Sequence, residues 1–295
     1  MKNKDFKAFT TGETLKKIRI SKKYTQKFVT EGIIGQSTYS KIERGEVEPT
    51  YTKFMSLLNR LDVSPEEFNY LSKDEKIDMR EQIIHDFFLL NYNDSSDLRN
   101  IQTRIFAYLE KNNDYVLQDI AYICEALILI IEKRDYEQAI IYANKVWKRL
   151  EQFDRWFLME IRLINTILFI FPIETAISIS ERIVLILEEY RARESKILLN
   201  NIQINLALQL IRNEEYEMAI NHLNKLIVRL KEERNYYLLS FAYIRKGIAL
   251  DLIGETHAHT YIEKGLTLIK TFDEPKLYEG FLTEIEFYTK KNWPQ

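Results

Sequence analysis

Between positions 36 and 41 the chain gathers Gln36, Ser37, Thr38, Ser40 and Lys41, five side chains whose hydrogen-bonding groups suit the edges of base pairs. A Gln amide pairs with adenine, a Lys ammonium with guanine, and Ser or Thr hydroxyls with either bases or phosphates. To act together, the five must project from one element. On a helix over 36–43, Tyr39 and Ile42 point back to a core and leave the polar set outward. Small helical bundles also carry Gln, Ser and Thr as plain solvated surface, so the face alone leaves both possibilities open.

The elements that would position this face are legible on either side. Leu15, Ile18 and the stem of Arg19 share one face of a first helix, with Gly12 and Thr14 as start signals and Lys22-Lys23-Tyr24 as its exit. Thr25 is placed to cap a short second helix in which Phe28 and Val29 turn inward, and Gly32 ends it where a residue without a Cβ is favoured. Arg44-Gly45 closes the third helix, and Pro49 opens the next element. Two helices at this spacing make a helix-turn-helix.

Charge is divided unevenly along the chain. Residues 1–60 hold 13 Lys and Arg against 6 Asp and Glu, net +7; the remainder holds 29 against 38, net −9, and the total of −2 conceals the split. A basic module joined to an acidic body is the pattern expected when one end faces phosphates and the other must not.

The string from Gln26 to Glu46, Q-K-x-x-x-x-G-I-I-x-x-S-x-x-S-K-I-E-R-G-E, resembles the helix-turn-helix of the repressor-like (XRE) class, and most of all its Rgg/MutR and PlcR relatives. Those relatives carry a turn one residue shorter than most of the class, and 17 steps separate Gln26 from Glu43 here. The resemblance implies that Gln26 caps the second helix and touches a phosphate. It places Gln36, Ser37, Ser40 and Lys41 near bases and Thr38 near the backbone of double-stranded promoter DNA. It also implies a structural pair between Arg19 of the first helix and Glu43 at the end of the third.

With 295 residues, 46% hydrophobic and 29% charged, the chain suits one small and one larger globular domain, expected at 1–70 and 71–295. No apolar run approaches the roughly 18 residues of a membrane span. The lysine-rich N-terminus lacks the apolar block of a signal peptide, which points to the cytoplasm. Cys124, the one cysteine, reads as a reduced core residue. Only 8 Gly and 5 Pro leave little material for hairpins and favour long helices. His85, His222, His257 and His259 find no completing carboxylate or cysteine cluster, so no metal is expected. Phosphate-cradle and nucleophile-elbow strings are absent, and neither a cofactor nor enzymatic activity is expected.

Beyond position 71 the chain reads as a succession of amphipathic helices. RDYEQAIIYANKVWKRL at 134–150 aligns with EEYEMAINHLNKLIVRL at 214–230, offset by 80, and Ala176 divides the interval between Ala139 and Ala219 into two units of about 40. That period, with a small residue where paired helices approach, predicts an all-α chain: an N-terminal helix-turn-helix bundle followed by a tetratricopeptide-like right-handed helical solenoid. Its concave face would be built from the first helix of each pair. Arg162 and Asn165 lie one turn apart on a helix over 155–171, and Asn201 and Asn205 at i, i+4 on one over 194–212. Buried asparagines need partners, and a peptide backbone supplies both donor and acceptor. Phe169 offers an apolar floor and Tyr243 sits on the next such helix. The same asparagines serve equally well as ties between adjacent helices.

The stretch EIRLINTILFIF at 160–171 is also similar to the Rgg/MutR and PlcR regulators. The resemblance implies a homodimeric transcription regulator whose repeat domain binds a short secreted peptide re-imported by the cell. Phe281, Phe287, Tyr288 and Trp293 exceed what one capping helix requires and are candidate dimer contacts. A helical-repeat scaffold for partner proteins, anchored to DNA by the basic module, is the alternative.

Overall fold

Thr10 opens the first helix. The computed structural model describes residues 10–72, 78–90, 94–190 and 193–291. The Thr10 hydroxyl accepts from the N–H of Glu13 at 3.2 Å, and the Glu13 carboxylate accepts from the N–H of Thr10 at 2.8 Å. This reciprocal cap starts α1, Thr11–Ser21. Gly12 and Thr14, expected as start signals, serve packing instead. A Cβ on Gly12 would lie 1.7 Å from the carbonyl oxygen of Ile42, so glycine is what lets α1 touch the third helix; Thr14 is fully buried. Thr25 caps α2, Gln26–Thr30, by accepting from the N–H of Phe28 at 3.1 Å. Then come α3, Gln36–Glu43, α4, Tyr51–Arg60, and α5, Pro65–Ser72, the last with proline at its first position and the Ser64 hydroxyl accepting from Glu67 N–H.

Leu15, Val29, Tyr39, Leu57 and Leu58 are without exposure and form the heart of this bundle. Phe28, expected to turn inward, is 41% exposed. A five-residue helix has one buried edge, and Val29 takes it. Phe28 packs against the Tyr24 ring at 4.7 Å and beneath Arg60, whose guanidinium donates to the carbonyls of Phe28 and Glu31. Gly32 adopts φ +74°, as its place in the turn predicts.

The chain divides into two compact units, Met1–Gln82 and Ile83–Gln295. After α6, Met79–Phe88, follow α7, Ser95–Leu109, α8, Tyr115–Ile128, α9, Tyr136–Leu150, α10, Leu158–Ile167, and α11, Ile173–Glu188. The series ends with α12, Arg193–Arg212, α13, Tyr216–Glu232, α14, Tyr236–Leu252, α15, Ala258–Lys270, and α16, Pro275–Thr289. No strand occurs among the described residues.

Helices stack along the chain, α7 on α8, α8 on α9 and α9 on α10, then α11 on α12 and onward to α14 on α15, with α10 packed against α12. Ala139, Ala176 and Ala219 of α9, α11 and α13 are all without exposure, as the repeat predicts. The register shows in the backbone too. Arg134, Glu214 and Gly254, at intervals of 80 and 40, take φ of 55°, 63° and 83°, and each is followed by an N–H that reaches back to the carbonyl of Leu129, Leu210 or Leu250. The helix expected over 155–171 is shorter. Trp156 is buried before it, its indole N–H donating to the Leu150 carbonyl at 2.9 Å, and a 3₁₀ turn at Leu168–Ile170 closes it ahead of Pro172. Gly265 is required by close approach: a Cβ there would meet Ile244 Cγ1 at 2.5 Å and the Ser240 carbonyl at 2.7 Å, where α15 lies against α14. Cys124 is wholly buried, and burial pushes its thiol up to about 12. Lys276 at the start of α16 donates to Asp94, the cap of α7, at 3.2 Å, joining helices 182 positions apart. Among the described residues no helix is long and apolar enough to cross a membrane.

Candidate functional site

On α3 the division predicted from periodicity is present. Tyr39 and Ile42 are buried; Gln36, Ser37, Thr38 and Lys41 are exposed, and Ser40 is half-buried. Ser37, Ser40 and Lys41 run along one face in steps of three and four, so their polar atoms can meet a single groove together.

Behind this face lies a buried charge cluster. Arg19 of α1 grips Glu43 at the end of α3 through two bonds, Nε to Oε1 at 2.6 Å and Nη2 to Oε2 at 2.9 Å. Its remaining nitrogen donates to the Tyr24 carbonyl at 3.0 Å. The Gln26 amide donates to Glu43 Oε2 at 2.8 Å. Burial pushes the Glu43 carboxyl upward, but the bonds from Arg19 and Gln26 prevail and hold it below the ordinary carboxylate range. The bond to Glu43 raises the Arg19 guanidinium above its usual value. Expected as the cap of the second helix, Gln26 is its first residue: Thr25 takes the capping position because its hydroxyl reaches the Phe28 N–H, and the Gln26 side chain turns to Glu43.

In the second unit, helices α8, α10, α12 and α14 put Glu125, Asn165, Asn205 and Arg245 at intervals of 40, the position that each helix presents to its neighbours. Asn205 Nδ2 donates to Asn165 Oδ1 at 3.0 Å. Arg245, only 6% exposed, donates to the Ile204 carbonyl at 2.9 Å and to Glu284 of α16 at 3.0 Å. Glu125 accepts from Gln102 at 3.0 Å. Thus the two asparagines tie adjacent helices, while Asn201, one turn before Asn205, is half-buried. The Arg162 guanidinium stands over the Phe88 ring at 5.4 Å, and Phe169 lies half-buried in the 3₁₀ turn after α10.

Of the six candidates, Asn165 and Asn205 are brought into contact, and Tyr243 packs beside a cluster holding Ile204 and Ala207 of α12. Tyr243 also faces α15, lining with Tyr236, Leu239, Thr260, Glu263 and Lys264 a pocket of about 540 Å³. Its ring lies 6.1 Å from that of Tyr261. Arg245 is missed by sequence reasoning, although its place 40 positions after Asn205 is a usable signal. At the C-terminus Phe281 is buried, Tyr288 half-buried and Phe287 62% exposed, while Trp293 lies outside the described residues. His257 pairs with Glu255 and His259 with Glu263, and no group of three metal-ligating side chains forms among the described residues.

Residues 15–68 match the Helix-turn-helix family. No curated protein matches the chain in sequence. Among solved structures, a protein of Listeria monocytogenes EGD-e described as a candidate transcriptional regulator superposes with a TM-score of 0.73 at 20% identity, over 96% of this chain and 98% of that one. PlcR of Bacillus thuringiensis, solved with the peptide PapR7 and DNA, gives a TM-score of 0.69 at 21% identity, over 92% of this chain and 98% of PlcR. The SHP pheromone receptor Rgg2 of Streptococcus dysgalactiae gives 0.67 at 17% identity, over 94% and 99%. The fold of this chain, a helix-turn-helix unit followed by helical repeats, is therefore shared with these proteins over at least 92% of its length.

Proposed function

We propose that the protein is a cytoplasmic, homodimeric transcription regulator, not an enzyme. In this reading residues 1–70 bind promoter DNA, and residues 71–295 dimerise and take a short signalling peptide. The observation that carries the proposal is the exposed polar face of α3, set on a basic unit and held from behind by the Arg19–Glu43–Gln26 cluster. Gln36, Ser37, Ser40 and Lys41 face bases, and Thr38 faces the backbone. Gln26 acts chiefly through Glu43, with its helix start near a phosphate. The peptide lies along α10, α12 and α14, meeting Arg162, Asn165, Phe169, Asn201, Asn205 and Tyr243. The fold shared with PlcR, whose structure holds a peptide and DNA, supports both halves.

Footprinting on the chain's own upstream DNA and on scrambled fragments tests the first half. Sequence-specific protection at moderate salt is expected; salt-sensitive but sequence-blind binding would leave a scaffold anchored to DNA instead. For the second half, Asn201→Ala and Arg162→Ala should abolish the response to peptide and leave DNA affinity intact. If both variants still respond, the peptide lies elsewhere.

A further inference from the structure

Arg44 stands just past the end of α3, four residues after Ser40 and seven after Ser37, so it continues the stripe of Ser37, Ser40 and Lys41 by one more turn. Its side chain is ordered by three bonds. Nη1 donates to Ser40 Oγ at 2.7 Å, Nη2 donates to Glu46 Oε2 at 3.1 Å, and Nε donates to Glu46 Oε1. Gly45, at φ +73°, and the bond from Glu46 N–H to the Lys41 carbonyl turn the chain so that Glu46 comes back beside Arg44. Both side chains are about half exposed, 52% and 49%, so the pair faces water and exchanges readily for another partner.

We propose that Arg44 is a further DNA-contacting residue, that Ser40 positions its guanidinium, and that Glu46 occupies in the free protein the place a DNA acceptor takes in the complex. This rests on α3 being the DNA-facing helix. A guanidinium already engaged in two parallel bonds is oriented for any planar pair of acceptors, and the carboxylate of Glu46 is such a pair. Duplex DNA offers the same chemistry twice, as guanine O6 and N7 or as two phosphate oxygens. Entry of either displaces Glu46, whose charge near phosphates is otherwise unfavourable. Ser40 keeps its own hydroxyl hydrogen for the duplex while accepting from Arg44.

The test measures affinity of the full-length protein for its operator and for scrambled duplex over a range of salt. The wild type is compared with Arg44→Ala, Glu46→Gln and Ser40→Ala. Arg44→Ala is expected to weaken operator binding about five- to a hundredfold. If the acceptor is guanine, the loss falls on the operator and its preferred base is no longer distinguished. If it is phosphate, operator and scrambled duplex weaken together and the salt slope drops by about one. Glu46→Gln is expected to tighten binding, and Ser40→Ala to lose a smaller part of what Arg44→Ala loses. Thermal unfolding of Arg44→Ala and Glu46→Gln should match the wild type, because both side chains are about half exposed. Wild-type discrimination together with unchanged binding by Arg44→Ala overturns the inference; absence of wild-type discrimination strikes instead at α3 as the reading helix.

Discussion

Removing the carboxylate of Glu43 leaves the Arg19 guanidinium and the Gln26 amide without their shared acceptor in a site where the Glu43 side chain is 3% exposed and that of Arg19 is 14%. Breaking such a pair from one side costs about 3–5 kcal/mol, so Glu43→Ala should unfold the N-terminal unit first in a calorimetric scan. Because the folded carboxyl titrates below its unfolded value, the stability it contributes is complete above the ordinary carboxylate range near about 4.3 and is lost as pH falls through the lower folded value. Acid titration of the unit should therefore show this loss in the wild type and a flatter profile in Glu43→Gln. Gln36→Ala and Lys41→Ala, by contrast, should leave stability alone and relax operator preference by about 1–3 kcal/mol per lost base contact, read by binding to single-base operator variants. The outward face of α3 was legible because burial of Tyr39 and Ile42 fixes it by periodicity. Gln26 was not: its partner lies 17 positions away, and nothing local says that its amide turns toward a carboxylate rather than outward.

Helix spans followed from amphipathic spacing and turn residues, and their misreadings share one cause. Gly12 looks like a start signal in sequence, whereas its role is set by a contact with Ile42 thirty positions later. The segment 155–157 carries helical composition, yet Trp156 finds its bond at the Leu150 carbonyl and the helix waits until Leu158. Neither tertiary contact is encoded in its own window. Gly265 makes the same point at the α14–α15 interface, where side-chain-free backbone is the condition of contact. Gly265→Ala forces Ile244 aside or parts the two helices and is expected to cost about 1–3 kcal/mol, with the midpoint of denaturant unfolding falling and its slope unchanged. Stability equal to wild type would mean that the helices separate freely there. The asparagines are a case in which sequence left two roles open, and the tie is the one the geometry displays: Asn205 and Asn165 hold each other across α10 and α12.

At the scale of the whole chain, the charge split was visible by counting, and the 40-residue period by alignment of two segments, because both are properties summed over many positions. The approach of α16 to the start of α7 was not, since it depends on how each small rotation between neighbours accumulates. Lys276 and Asp94 record that accumulation: the last helix of the series comes back within 3.2 Å of the cap of α7. The bonds from Ser96 and then from Lys276 draw the Asp94 carboxyl down to about 2, so the link persists through mild acid. Lys276→Ala should speed amide hydrogen exchange at the start of α7 as well as of α16, and faster exchange at α16 alone would show that the two ends move separately. A stack with free ends behaves as a spring, in which each interface flexes without informing the others. The Asp94–Lys276 pair ties α16 to α7 through one surface contact, 61% exposed on the lysine side, so it restrains that flexing lightly and only where the two helices meet.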